Sequence, residues 1–223
     1  MGEFFDQVVY FMPALLKGSV VTLQVFILTI VLSLPLGLPI ALGSDSRFKV
    51  VRGLCKTYIW IFRGTPLLLQ LFFVYFYLPI AFGITLPAIT SAVLTFVLNY
   101  AAYFAEIYRG GINSIDRGQF EAAHSLGLNG KQTMLDIILP QTMKAILPPV
   151  VNETITLVKD TALVSTLPVF EIMKVSRGQV NTTSSTIPFL LAALIYLAMT
   201  FVLTVITNKI EKHFSRYDNK EEW

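Results

Sequence analysis

The sequence predicts an all-α integral membrane protein of about five transmembrane helices, and two observations carry that expectation. Of its 223 residues 54% are hydrophobic and 14% charged, against about 25% charged in an ordinary soluble domain, and the mean hydropathy is +0.66. The apolar residues also gather into five runs, 20–42, 58–81, 86–108, 146–169 and 188–207, each near the roughly 20 residues that cross about 30 Å of hydrocarbon. A single transmembrane domain over 1–223 accommodates them all.

Ahead of the first run, Phe4, Phe5, Val8, Val9, Phe11 and Met12 mix with Glu3, Asp6, Gln7 and Lys17, a pattern that predicts a helix lying in the interface over residues 1–18. Glu3 and Asp6 precede any basic residue, unlike the start of a cleaved signal peptide, so the first span is expected to be retained. Within it Pro35, Gly37 and Pro39 should bend the helix, and the freed carbonyls then require protein partners. The link 82–87 has room only for a tight turn, and 175–186, rich in Ser, Thr, Gly and Asn, is predicted as an outside loop.

Lys and Arg collect on one side of the five spans: Arg47, Lys49, Arg52, Lys56, Arg109, Arg117, Lys131, Lys144, Lys209, Lys212, Arg216 and Lys220, against Lys17, Lys174 and Arg177 on the other. The excess marks the cytoplasmic side, so the N-terminus is expected outside and the C-terminus inside, with the long stretch 113–145 in the cytoplasm. A net charge of +3 without basic blocks gives no nucleic-acid surface. Cys55 is the single cysteine, which excludes an intrachain disulfide and paired-thiolate metal sites.

The cytoplasmic stretch predicts two short helices. Ser114 or Asp116 can cap the first, Gly127 suits a left-handed end, Asn129 can cap the second, and Pro140 should bar simple continuation. Phe120, Ala123 and Gly127 form a small-residue strip that could enter a groove of another protein or lie on headgroups. Glu121-Ala122-Ala123, then Gly127, Ile137 and Leu139-Pro140 closely resemble the EAA loop of bacterial ABC importer permeases. Phe62-Arg63-Gly64-Thr65-Pro66-Leu67-Leu68, Asn99 to Glu106 and Leu157 to Leu163 resemble the polar amino acid, histidine/glutamine permease-like branch.

That resemblance, which covers essentially the whole chain, implies a permease subunit of an ATP-driven importer in the bacterial cell membrane, with the type I importer permease fold. It implies a coupling helix, with Phe120, Glu121, Ala122, Ala123, His124 and Gly127 meeting a cytoplasmic ATPase. It further implies two ATPase subunits, a second permease (the same chain or a related one), an extracytoplasmic binding protein and an amino acid substrate. The chain is expected to bind no cofactor and to be no enzyme, with ATP and Mg held by the partner ATPase. A phosphate-binding loop needs a glycine, four residues, then Gly-Lys-Ser/Thr; here Ser125 stands at the first glycine of Gly130-Lys131, and Gln132 follows.

Asn152, Glu153, Thr156, Lys159, Asp160 and Thr161 fall inside the fourth run, where one ionised group costs about 2.5 to 3.5 kcal/mol facing lipid. They are expected to face protein or water as one polar surface. Together with Asn99 and Tyr103 they are the candidate substrate path, Lys159 receiving an amino acid's carboxylate and Glu153 or Asp160 its ammonium; the structural alternative is a set of charges that brace the bundle. Arg63 is at least as suited to snorkelling to the headgroups as to a gating role and is assigned neither, and Glu106 with Arg109 suits a local ion pair. An ion-coupled secondary transporter or channel would use the same charges without needing the EAA loop. A membrane enzyme has no nucleophile with an adjacent base to support it.

Overall fold

A computed structural model describes residues 2–214, and among these every regular element is helical. Helix α1 spans Gly2–Ser44. Helix α2, Lys49–Gly64, is followed across a 105° bend by α3, Leu67–Phe82. Helix α4, Ala88–Asn113, leads to the short α5, Arg117–Ser125. Helix α6 runs over Gly130–Thr166, α7 over Ile172–Thr183 and α8 over Ile187–Phe214. Four of these helices are long and apolar enough to cross a membrane, and the bent α2–α3 pair makes a fifth candidate. Arg216 and Lys220, counted in the charge bias, lie outside the described residues.

Helix α4 is the axis of the bundle. Its 26 residues reach about 39 Å at 1.5 Å each, and Phe96, Tyr100 and Phe104 are buried against Val25 of α1, Leu71 of α3 and Leu157 of α6. Ala101, Ala102 and Ala105 are buried on the same helix, and small side chains let membrane helices approach closely. On α1, a Cβ at Gly37 would stand 2.9 Å from Phe104 Cβ and 3.1 Å from the Ala105 nitrogen. The expected packing of that proline-containing stretch against protein is therefore met.

Four local expectations are revised. The stretch expected as a separate interfacial helix over 1–18 is, from Gly2 on, the first turns of α1, and Phe11 and Leu15 are buried against Ile172, Leu191 and Ala192. Residues 175–186 are mostly helical. Glu171 caps α7 by accepting hydrogen bonds from the Met173 and Lys174 N–H groups, Ile172 and Ser176 are fully buried, and a cap with tertiary packing outweighs weak propensity. Pro140 does not end its helix: a wide turn over Thr133–Ile138, in which the Leu139 N–H reaches Met134 O, carries the chain into the segment that contains it.

The second run, expected as one span over 58–81, is broken in the middle. Thr65 takes an extended conformation (φ −118°, ψ 145°), as the residue before a proline prefers. Pro66 has no N–H to give to the carbonyl of Phe62 four residues back. The amides of Gln70 and Asn99 donate to that carbonyl instead, at 2.9 and 3.1 Å, and Asn99 also donates to Gln70 Oε1 at 3.0 Å. A carbonyl that lipid could not satisfy is thus satisfied by two side chains.

Candidate functional site: an intramembrane cavity and an exposed elbow

The break in the second span opens a cavity of about 440 Å³ between α2–α3, α4 and α6. Its walls carry Arg63 and the 64–67 backbone turn on one side, Asn99, Tyr100 and Tyr103 on α4, and Glu153, Thr156 and Asp160 on α6. Tyr100 stands midway along α4 and its hydroxyl donates to Asp160 Oδ2 at 2.8 Å, so the Asp160 carboxylate sits level with the middle of that helix. The Arg63 guanidinium lies over the Tyr103 ring, 5.4 Å from its centre, within the range of a cation–π contact. It also stands 3.7 Å from Glu106, which Arg109 holds from the other side.

Five of the eight residues predicted for the path, Asn99, Tyr103, Glu153, Thr156 and Asp160, meet in this cavity. Three do not. Thr161 is fully buried and donates to Val158 O, while Asn152 is exposed on the bundle surface. Lys159 points to a separate cavity beside α7 and α8. The cation facing the two carboxylates is Arg63, which carried no assigned role in the sequence. Its signal was an arginine directly before a Gly-Thr-Pro break inside an apolar run. Tyr100 was also missed, although it adjoins Asn99.

The elbow follows its local signals closely. Asp116 caps α5 by accepting from Gly118 N, Gly127 takes the left-handed conformation (φ +76°), and Asn129 with Gln132 forms a reciprocal capping box. The strip of Phe120, Ala123 and Gly127 divides differently from expectation. Helix α5 packs on the wide turn of α6, which buries Ala123 and half-buries Phe120, while Gly127 stays exposed. A nine-residue helix needs such a seam to hold its angle. Glu121, Ala122 and His124 face solvent, and Leu126, not singled out in the sequence, is 79% exposed.

A cavity with both charge signs and an exposed elbow set on a membrane bundle agree with what the chain is similar to. Residues 33–216 match the family described as the inner membrane component of binding-protein-dependent transport systems. The chain belongs to this permease family. It is 38% identical over 207 residues to the arginine transport system permease protein ArtQ of Bacillus subtilis, covering 92% of this chain and 94% of that one. It is 36% identical over 209 residues to the L-cystine transport system permease protein TcyB of the same organism, covering 93% and 89%.

Among solved structures, the permease matches an amino acid ABC transporter crystallised with histidines at a TM-score of 0.88 and 35% identity, over 94% of this chain and 98% of that one. The inward-facing MetNI methionine transporter shares the fold alone, at a TM-score of 0.71 and 13% identity over 94% and 98%. The chain is therefore an amino acid ABC permease subunit, a multi-pass component of the cell membrane with the type I fold. An ion-coupled carrier of another class is not favoured. As in ABC importers generally, such a subunit works with ATPase and substrate-binding partners.

Proposed function

We propose that the cavity between Arg63, Glu153 and Asp160 is the substrate site of a polar amino acid importer, and that the exposed face of the elbow transmits the work of a separate ATPase to it. The juxtaposition of one guanidinium with two carboxylates across about 440 Å³ supports this reading, because the volume lies within the usual range for small-molecule sites. The α-carboxylate of the substrate suits Arg63 and its ammonium suits Glu153 or Asp160. One carboxylate is left over, and it favours a substrate whose side chain carries a cation. A relative named for arginine transport agrees with that preference.

Asn152 and Lys159 are exposed along a helix of membrane-spanning length, and lipid is a costly neighbour for Lys159. A second permease, the same chain or a related one, is proposed to cover that face and enclose a water-filled path. The elbow is proposed to meet its own ATPase through Glu121, Ala122, His124 and Leu126, with two ATPase subunits per pair of permeases, ATP and Mg held there, and an extracytoplasmic binding protein delivering the amino acid.

The intact complex in proteoliposomes tests the site. A charge-assisted hydrogen bond contributes about 1.5 to 3 kcal/mol, which corresponds to roughly 10- to 100-fold. Arg63→Gln and Asp160→Asn should each lower substrate-stimulated ATP hydrolysis and uptake at limiting substrate by that order. If both variants, assembled normally, keep wild-type uptake and stimulation, the site lies elsewhere.

A further inference from the structure

Two of the cavities that helix α6 borders are lined by charged side chains. Glu153, Thr156 and Asp160 look into the one already described, while Lys159, on an adjoining face of the same helix, looks into a second of about 560 Å³ together with Arg177 of α7. Ala162, Met173, Phe189 and Ala193 supply an apolar lining, and Tyr196 closes it on α8. Neither Lys159 nor Arg177 forms an ion pair among the described residues. No acidic side chain lines this cavity; the carboxylates that face the two cations electrostatically lie outside it, Asp160 beside Lys159 accepting from the Tyr100 hydroxyl and buried Glu171 accepting from the Met173 and Lys174 N–H groups and the Tyr196 hydroxyl. Two cations thus share a cavity without a counter-charge in it.

Depth decides what the counter-charge can be. Lys159 adjoins Asp160, which is bonded to the midpoint of α4, so it lies about half a bilayer from either headgroup layer. A lipid phosphate sits too shallow to neutralise it, whereas a solute in a water path reaches it. Helix α7 and the first turns of α8 pack on the first turns of α1, whose other end, at Gly37, meets α4 toward the elbow, so they stand ahead of the inner cavity on an inward path.

We infer that the Lys159–Arg177 cavity is an outer station that captures the carboxylate of an incoming amino acid before it passes α6 to the Arg63 cavity. The inference rests on the inner cavity being the substrate site. A cleft of one charge sign raises the local concentration of the opposite sign by 10-fold or more, so the station would orient an amino acid carboxylate-first.

Ala193→Cys in a Cys55→Ala background of the intact complex provides the test, because Ala193 is exposed in the cavity and both cations remain. A membrane-impermeant anionic thiol reagent should label it about tenfold faster than a cationic one of equal size. Adding Lys159→Gln and Arg177→Gln should bring the two rates together, and arginine should protect the thiol where argininamide, which lacks the carboxylate, does not. Equal rates with both reagents, labelling by apolar maleimides alone, or protection by both amino compounds overturns the station; a rate advantage that vanishes in vesicles without anionic lipid assigns the cavity to headgroups and overturns it equally. Failure of the inner site is read separately, from uptake by Arg63→Gln and Asp160→Asn.

Discussion

Asn99, expected on the substrate path, lines the inner cavity, yet its amide is spent on Phe62 O and Gln70 Oε1. Asn99→Ala leaves the carbonyl exposed by Pro66 with Gln70 alone, and a poorly satisfied buried carbonyl costs about 1 to 3 kcal/mol. The expected outcome is a lowered thermal midpoint of the detergent-solubilised complex together with weakened uptake. Glu171, between the membrane-length helices α6 and α8, gives a pH signature. Burial pushes its carboxyl above the usual carboxylate value, against the opposing hydrogen bonds from Met173, Lys174 and Tyr196. The folded state then holds its proton more tightly than the unfolded state. Its contribution is fully present below the unfolded-state pKa and is lost as pH rises through the folded-state value. Glu171→Gln should flatten that fall in a pH series of thermal unfolding; an unchanged slope would assign the pH dependence to other groups. The acidic half of the cavity, Glu153 and Asp160, was legible because intramembrane charges are rare. Its cation was not, because Arg63 stands at the end of its run and reads equally well as a headgroup anchor.

At the scale of elements, what was local in sequence was legible and what was tertiary was not. Asp116, Gly127 and Asn129 act within a few residues of themselves, and all three adopt the expected caps and turn. The left-handed backbone at Gly127 costs a residue with a Cβ about 1 to 2 kcal/mol. Gly127→Ala should therefore loosen the elbow and lower the ATP hydrolysis elicited by substrate, leaving folding of the membrane bundle intact by circular dichroism. Helix α7 was hidden by its Ser, Thr and Asn content, since its stability comes from Glu171 and from contacts with α1, among them Gln179 Nε2 to Phe11 O at 3.2 Å. The break at Thr65–Pro66 was visible as a motif but not as a bend, because the groups that satisfy it lie on α3 and α4. Close packing gives a further expectation: Gly37→Leu forces a side chain into Phe104 and Ala105 and should destabilise the bundle by about 1 to 3 kcal/mol, seen as a lower thermal midpoint.

Over the whole molecule, one bundle carries a charged cavity level with the middle of α4 and an elbow beyond the end of that helix, joined by α6. That helix begins at the elbow, bypasses Pro140 through a wide turn, and ends its regular α-helical segment at Asp160 in the cavity. In the proposed coupling, a push on α5 travels along α6 to the carboxylates, and a partner ATPase supplies it. Reconstitution decides this most directly: arginine uptake into proteoliposomes, measured for the permease alone under an imposed ion gradient and for the permease with its ATPase and binding protein under ATP. Accumulation above the outside concentration is expected only in the second case, and only with hydrolysable ATP. Uphill uptake by the permease alone would contradict a path powered through the elbow.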